Sequence, residues 1–204
     1  MPFPILSDRP DKPQLRQQAR RRRRSLDPAS RDRAQGQIAG HLLAAVRRHR
    51  WQRIGAYAAT ASELDLAPFF NVAAGLVGTV SILLPAILPP GVIVFRHWPV
   101  GSPLMEGPHR ILQPPPSRAE CPAPMLDAIL LPLLAFDDHG TRLGSGAGYY
   151  DRLLAFRRQA PAPPHLVGVA FQEQSMPELP RDDWDIPLDA ICTPAGWRDF
   201  LARA

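Results

Sequence analysis

The chain has 204 residues, a formal net charge of +5 and an apolar fraction of 45%. That length suits a single domain spanning 1–204 with a substantial core, and the apolar fraction is ordinary for a globular protein. Two cysteines, Cys121 and Cys192, exclude a disulfide framework and lack any CxxC-type metal spacing, so a reducing, cytoplasmic setting is expected.

The opening MPFPILSDRPDK has no apolar segment of the secretion-signal kind. Charge is uneven: residues 1–53 hold 14 basic and 4 acidic side chains, residues 54–204 hold 10 and 15. The run RRRRR at 20–24 could bind nucleic acid through phosphates. No base-reading motif or aromatic platform accompanies it, so it reads as the solvated face of an amphipathic helix with Leu15, Ala19 and Leu26 turned inward. Lys12 is the only lysine among 24 basic residues. A compact ammonium there suits a point charge against a phosphate.

Residues 25–49 read as a helix, with Asp27 or Ser25 as N-cap and Pro28 in the first turn. RIGAYAA (53–59) reads as a strand. ELDLAPFFNVAAG (63–75) has helical spacing and stops at Gly75. No charged residue lies between Leu66 and Phe95. A membrane span is rejected, because Gly75, Gly78, Pro85, Pro89, Pro90 and Gly91 cut the run into short pieces. TVSILL and GVIVFR instead look like buried parallel strands.

Residues 97–124 are proline-rich without a period, and read as a long loop that could wall a site. DAILLP (127–132), HLVGVAF (165–171) and DAICT (189–193) read as strands. A helix of about ten residues should begin near Tyr149, and AGWRDFLARA should form a closing helix. Alternating strands and helices predict an α/β fold, a three-layer α-β-α domain with a mainly parallel, Rossmann-like sheet. Ligands of such sheets sit beyond the carboxyl ends of the strands.

One stretch there is unusual: RLGSGAGYYDRLL, 142–154. Gly144, Gly146 and Gly148 alternate, so backbone N–H groups can approach an anion closely, and the following helix offers its positive end to the same anion. No GK[ST] follows, and the spacing does not fit GxGxxG. Asp151 could hold Mg²⁺ through oxygen or serve as a first-turn acid. Two successive tyrosines, Tyr149 and Tyr150, cannot both face the core, so one should line a pocket. Arg142 could neutralise phosphate or pair with Asp137 or Asp138.

The longer segment LLPLLAFDDHGTRLGSGAGYYDRLL resembles the signature of the 5-formyltetrahydrofolate cyclo-ligase family. KPQLR at 12–16 is similar to that family's opening block. IGAYAATASELD and LVGVAFQEQSMPELPRDDWDIPLDAICTP resemble its folate-side and C-terminal blocks. The likeness covers most of residues 12–195. Leu133, Ala147, Trp184 and Gln113 depart from the residues usual at their positions, and residues 86–124 match poorly.

The resemblance implies an ATP- and Mg²⁺-dependent enzyme acting on a reduced folate, with neither nucleic acid nor membrane as partner and a monomeric state. It implies that Lys12, Arg16 and residues 142–150 (Arg142, Leu143, Gly144, Ser145, Gly146, Ala147, Gly148, Tyr149 and Tyr150) wrap ATP. Asp151 and Asp185 would hold Mg²⁺. Ala58, Glu63 and residues 145–149 would meet the folate, with Glu63 on the pterin and Tyr149 stacked on it. Lys12, Arg142 and Tyr149 would carry the chemistry. A relative with the same ATP site and another substrate, or a basic nucleic-acid-binding domain, are the competing readings.

Overall fold

The structure, a computed structural model, describes residues 11–76, 79–160 and 162–200. Helix α1 (Lys12–Arg24) starts at Asp11, whose carboxylate accepts the Gln14 N–H, with a proline in the first turn. Ser25 closes α1 through its own N–H to the Arg21 carbonyl, which leaves Asp27 as the N-cap of α2 (Pro28–His49). Ile38, Leu42 and Val46 recur every four residues and bury one stripe of α2. Helix α3 (Ala67–Ala74) buries Phe69, Phe70 and Ala73 and stops at Gly75 as its spacing predicted, but it starts at Ala67, since residues 63–66 are not helical.

The main sheet draws on β1 (Arg53–Gly55), β2 (Ser81–Leu88) and β3 (Val92–His97). A small hairpin follows, β4 (Met105–Glu106) with β5 (Leu112–Gln113), then β6 (Glu120–Cys121) and β7 (Ala128–Pro132). A second small hairpin pairs β8 (Ala135–Phe136) with β9 (Arg142–Leu143). Helix α4 (Tyr149–Leu153), β10 (His165–Val169), β11 (Ala190–Thr193) and β12 (Gly196–Asp199) complete the chain. The main sheet has eight strands in the order β12-β11-β10-β7-β1-β2-β3-β6. Its inner five, β11 to β2, are mutually parallel. Side chains alternate between faces: Ile54, Leu84, Leu130 and Val167 join α2 and α3, whereas Leu83, Ile129, Leu131 and Leu166 face the α4 side.

Four expectations change. GVIVFR forms β3, but antiparallel to β2, with Leu88 opposite Val92 and Leu83 opposite His97. Between them lies only a tight turn closed by the Gly91 N–H on the Leu88 carbonyl, and a parallel return needs a dozen residues or more. Strand β2 also runs on through Pro85. Beyond Gly55 the chain of β1 leaves the sheet, so that side of β2 no longer asks Pro85 for an N–H. AGWRDF is not helical: it reverses after Thr193 and returns as β12, antiparallel to β11, with Gly196 at φ 137°. Its last residues, 201–204, lie outside the described residues. Residues 97–124 are not plain loop, since they contain β4, β5 and β6.

Taken along the sheet, the inner strands run β2-β1-β7-β10-β11. The chain steps from β1 outward to β2 and then crosses back to β7, so the direction of winding reverses between β1 and β7. A crevice outside the carboxyl ends of those two strands follows from that reversal.

Candidate functional site

A cleft of about 490 Å³ occupies that crevice. Its floor and walls come from four places: the exit of β1 (Tyr57, Ala58, residues 60–63), the exit of β7 (residues 132–134), the loop from β9 into α4, and one face of α1. The open edge of β2 adds Pro85 and Ile87. Of the residues singled out from sequence, Lys12, Arg16, Ala58, Glu63, residues 142–146, residues 148–151 and Asp185 all line this one cleft. Ala147 does not: it is exposed, and its carbonyl accepts from the Arg152 guanidinium.

The glycine loop is held by its carbonyls. Arg16 Nε donates to Gly144 O and Arg20 Nη2 to Ser145 O, each at 3.1 Å. None of the five amide N–H groups of residues 144–148 donates to another described residue. Gly146 and Gly148 adopt φ 108° and 67°, a region that other residues enter only with strain. The helix that follows is shorter than its pattern suggested. α4 has five residues, and a 3₁₀ turn over Ala155–Arg158 continues it.

Both tyrosines line the cleft. Tyr150 packs against the core beneath, and burial pushes its phenol well above the ordinary value. The Tyr149 hydroxyl lies 2.9 Å from His109 Nε2, and the Arg152 guanidinium sits over its ring at 5.1 Å. Tyr57 is buried and donates to the Leu64 carbonyl at 2.9 Å; burial raises its pKa as well.

Charges pair across the cleft. The Lys12 ammonium donates to Asp182 at 2.6 Å and Asp185 at 2.7 Å. Burial alone lowers its pKa, but the two carboxylates outweigh burial and leave it raised. Arg142 pairs with Asp151 at 2.5 Å, rather than with Asp137 or Asp138. Asp137 caps its own turn by accepting from His139 and Thr141, and Asp138 pairs with Arg198. Arg142 Nε is buried with no partner among the described residues.

The carboxylates supply hard oxygen donors of the type Mg²⁺ takes. Each already faces a cation, and no cluster of three or more His, Cys, Asp or Glu residues occurs among the described residues. This donor set fits a magnesium ion that arrives bound to phosphates, and does not fit an ion caged by protein alone.

Sequence reading missed several lining residues. Arg20, Arg23 and Arg24 belong to the run taken as a solvated face, yet all three border the cleft, and Arg23 is buried. Only Arg21 and Arg22 fit that description, being exposed and off the cleft. The spacing 12, 16, 20, 23 and 24 marks one helix face and could have revealed them. Asp182 and Trp184 also line the cleft. The departures from the family pattern differ in weight. Gln113 lies outside the cleft, where its side chain accepts the Ile87 N–H at 3.0 Å. Leu133 is buried, and its side chain covers Gly168.

A profile of the 5-formyltetrahydrofolate cyclo-ligase family matches residues 8–194. The chain belongs to this family. It is 32% identical to the Escherichia coli K12 5-formyltetrahydrofolate cyclo-ligase over 86% of this chain and 96% of that protein. The Haemophilus influenzae cyclo-ligase is 27% identical over 86% and 93%. The solved structure of Aquifex aeolicus 5,10-methenyltetrahydrofolate synthetase superposes with a TM-score of 0.79 at 29% identity, over 95% of each chain. Membership in this cyclo-ligase family makes the chain an enzyme, and its mixed eight-stranded α/β sheet is the fold of those structures.

Proposed function

We propose that this cyclo-ligase family member converts 5-formyltetrahydrofolate to 5,10-methenyltetrahydrofolate, driven by ATP with Mg²⁺. One observation carries the ATP half of the reading: a loop with five unengaged amides, pinned by arginines through its carbonyls, at the mouth of the sheet's switch point. Such a loop is a cradle for phosphates.

The chemistry needs few protein groups. A formyl group on N5 is amide-like, and its oxygen leaves poorly. Transfer of the γ-phosphoryl group to that oxygen yields ADP and makes the carbon electrophilic. N10 then attacks the carbon and loses its proton, and the C–O bond breaks to release inorganic phosphate. Phosphoryl transfer of this kind depends on alignment and charge neutralisation. Lys12, Arg16 and Arg142 would neutralise phosphate oxygens, while residues 144–148 hold them through N–H groups. Magnesium would offset charge across the phosphates, with Asp151 and Asp185 as its protein oxygens. Glu63 and Ala58 would meet the folate ring, and Tyr149 would stack on it.

The nucleic-acid reading of the arginine run loses support, because Arg20 and Arg23 donate inward to the protein. The direct test is to mix purified protein, 5-formyltetrahydrofolate and MgATP and follow near-ultraviolet absorbance. Growth of the methenyl chromophore that depends on both ATP and Mg²⁺ is expected. No chromophore, or one formed equally without ATP, would refute the reading.

A further inference from the structure

A triphosphate leaves Arg23 and Glu63, both lining the cleft, without a ligand partner. Arg23 has a relative exposure of 8%. Its Nε donates to Ser62 Oγ at 3.1 Å and its Nη1 to Leu133 O at 3.4 Å, tying the exit of β1 to the exit of β7. Its third nitrogen, Nη2, has no acceptor among the described residues, and the side chain borders the cleft. Next to Ser62 lies Glu63. Thr60 donates its N–H and its hydroxyl to Glu63 Oε2, both at 2.9 Å, and Oε1 takes no bond from any described residue. The turn is braced from behind: Arg31 donates to the carbonyls of Ser62 and Arg23 and lies over the Phe171 ring at 5.0 Å. Burial works against the Arg23 charge, and Glu63 is the group that most favours it.

The site therefore presents a fixed guanidinium donor beside a fixed carboxylate acceptor. Apolar or aromatic side chains line the same cleft, among them Tyr57, Pro85 and Ile87. That arrangement complements a flat ring whose edge carries an acceptor followed by two donors. The 2-amino-4-oxo edge of a pterin has this order: O4, then N3–H, then the 2-amino group. Adenine offers a single donor beside a ring acceptor and would leave the carboxylate underused. We infer that Arg23 is a specificity-determining residue, donating to O4 of the pterin while Glu63 accepts from N3–H and the 2-amino group.

The inference rests on the proposal that a reduced folate occupies this cleft. It predicts discrimination at the O4 edge. Replacing O4 by an amino group turns an acceptor into a donor and sets it against Arg23; it also removes the hydrogen from N3 and costs Glu63 one of its two donors. Calorimetric titration without ATP compares 5-formyltetrahydrofolate with its 2,4-diamino counterpart. Wild-type protein should bind the 4-oxo compound at least about tenfold more tightly, the size of one charge-assisted hydrogen bond left unmade. Arg23→Met should cut that ratio at least about fivefold, the part that remains being the N3–H bond to Glu63. Ser62→Ala, which removes the tie but keeps the guanidinium, should preserve the preference; a general structural effect would weaken both compounds alike.

Equal wild-type affinities overturn the inference even if Arg23→Met does not fold, and so does a ratio that is unchanged in a folded Arg23→Met. If the protein turns over 5-formyltetrahydrofolate yet shows no 4-oxo preference, the contacts of Arg23 and Glu63 to the ring edge fail while the folate reading stands. If it binds neither compound, the folate reading fails and takes this inference with it.

Discussion

Gly146 shows how one backbone angle can govern a ligand. At φ 108° any side chain is strained, and a Cβ there would sit 3.4 Å from the Arg16 guanidinium that pins the loop. The strain of a β-branched residue at such an angle is on the order of 1–3 kcal/mol. Folding stabilities of domains this size are roughly 5–15 kcal/mol, so Gly146→Val should remain folded while its loop is displaced. ATP affinity should fall beyond detection, with a cooperative thermal transition retained. Near-normal affinity by nucleotide titration would show that the loop is not the phosphate cradle. Alternating glycines were legible in the sequence because a missing Cβ is itself written there. The Arg142–Asp151 pair was not. Asp137 and Asp138 lie nearer in sequence than Asp151 does, and only the folded turn shows Asp137 spent on N–H groups of its own turn and of Leu179.

Helix α1 illustrates what periodicity reveals and what it hides. Its inward residues Leu15 and Ala19 were correctly predicted, since apolar spacing reports the core-facing stripe. Arg20, Arg23 and Arg24 of the cleft-facing stripe were missed because arginines face water and ligand clefts with the same residue type. The two uses separate by mutation. Lys12→Ala removes a charge that lines the cleft and should raise the KM for ATP about tenfold or more. Arg21→Ala and Arg22→Ala remove exposed charges outside it and should leave that KM within about twofold. Equal effects at all three positions, measured by steady-state kinetics, would point to a diffuse electrostatic role for the whole helix. Strand direction was harder to read than strand existence. VIVFR has the apolar content of a parallel strand, and its antiparallel course is set by the short turn at Gly91. GWRD was misread because a four-residue edge strand carries too few residues for its period to outweigh a helical pattern.

The placement of the cleft is a property of the winding order. Parallel strands β7, β10 and β11 accumulate on one side of β1, and β2 lies on the other, so two chain exits diverge above the sheet. Residues distant in sequence meet there: Lys12 bonds Asp182 and Asp185 across about 170 positions, and Arg23 reaches Ser62 and Leu133. Separate sequence blocks signalled Lys12 and Asp185 individually, but no local pattern records which blocks touch. Nucleotide binding should exchange partners at this junction, with phosphates replacing Asp182 and Asp185 around Lys12 and amides 144–148 gaining acceptors. A crystal structure with Mg²⁺ and a non-hydrolysable ATP analogue measures this most directly. The account predicts triphosphate density against residues 144–148, with the Lys12 ammonium turned onto it. Nucleotide bound elsewhere, with the loop empty and Lys12 still between its two carboxylates, would contradict it.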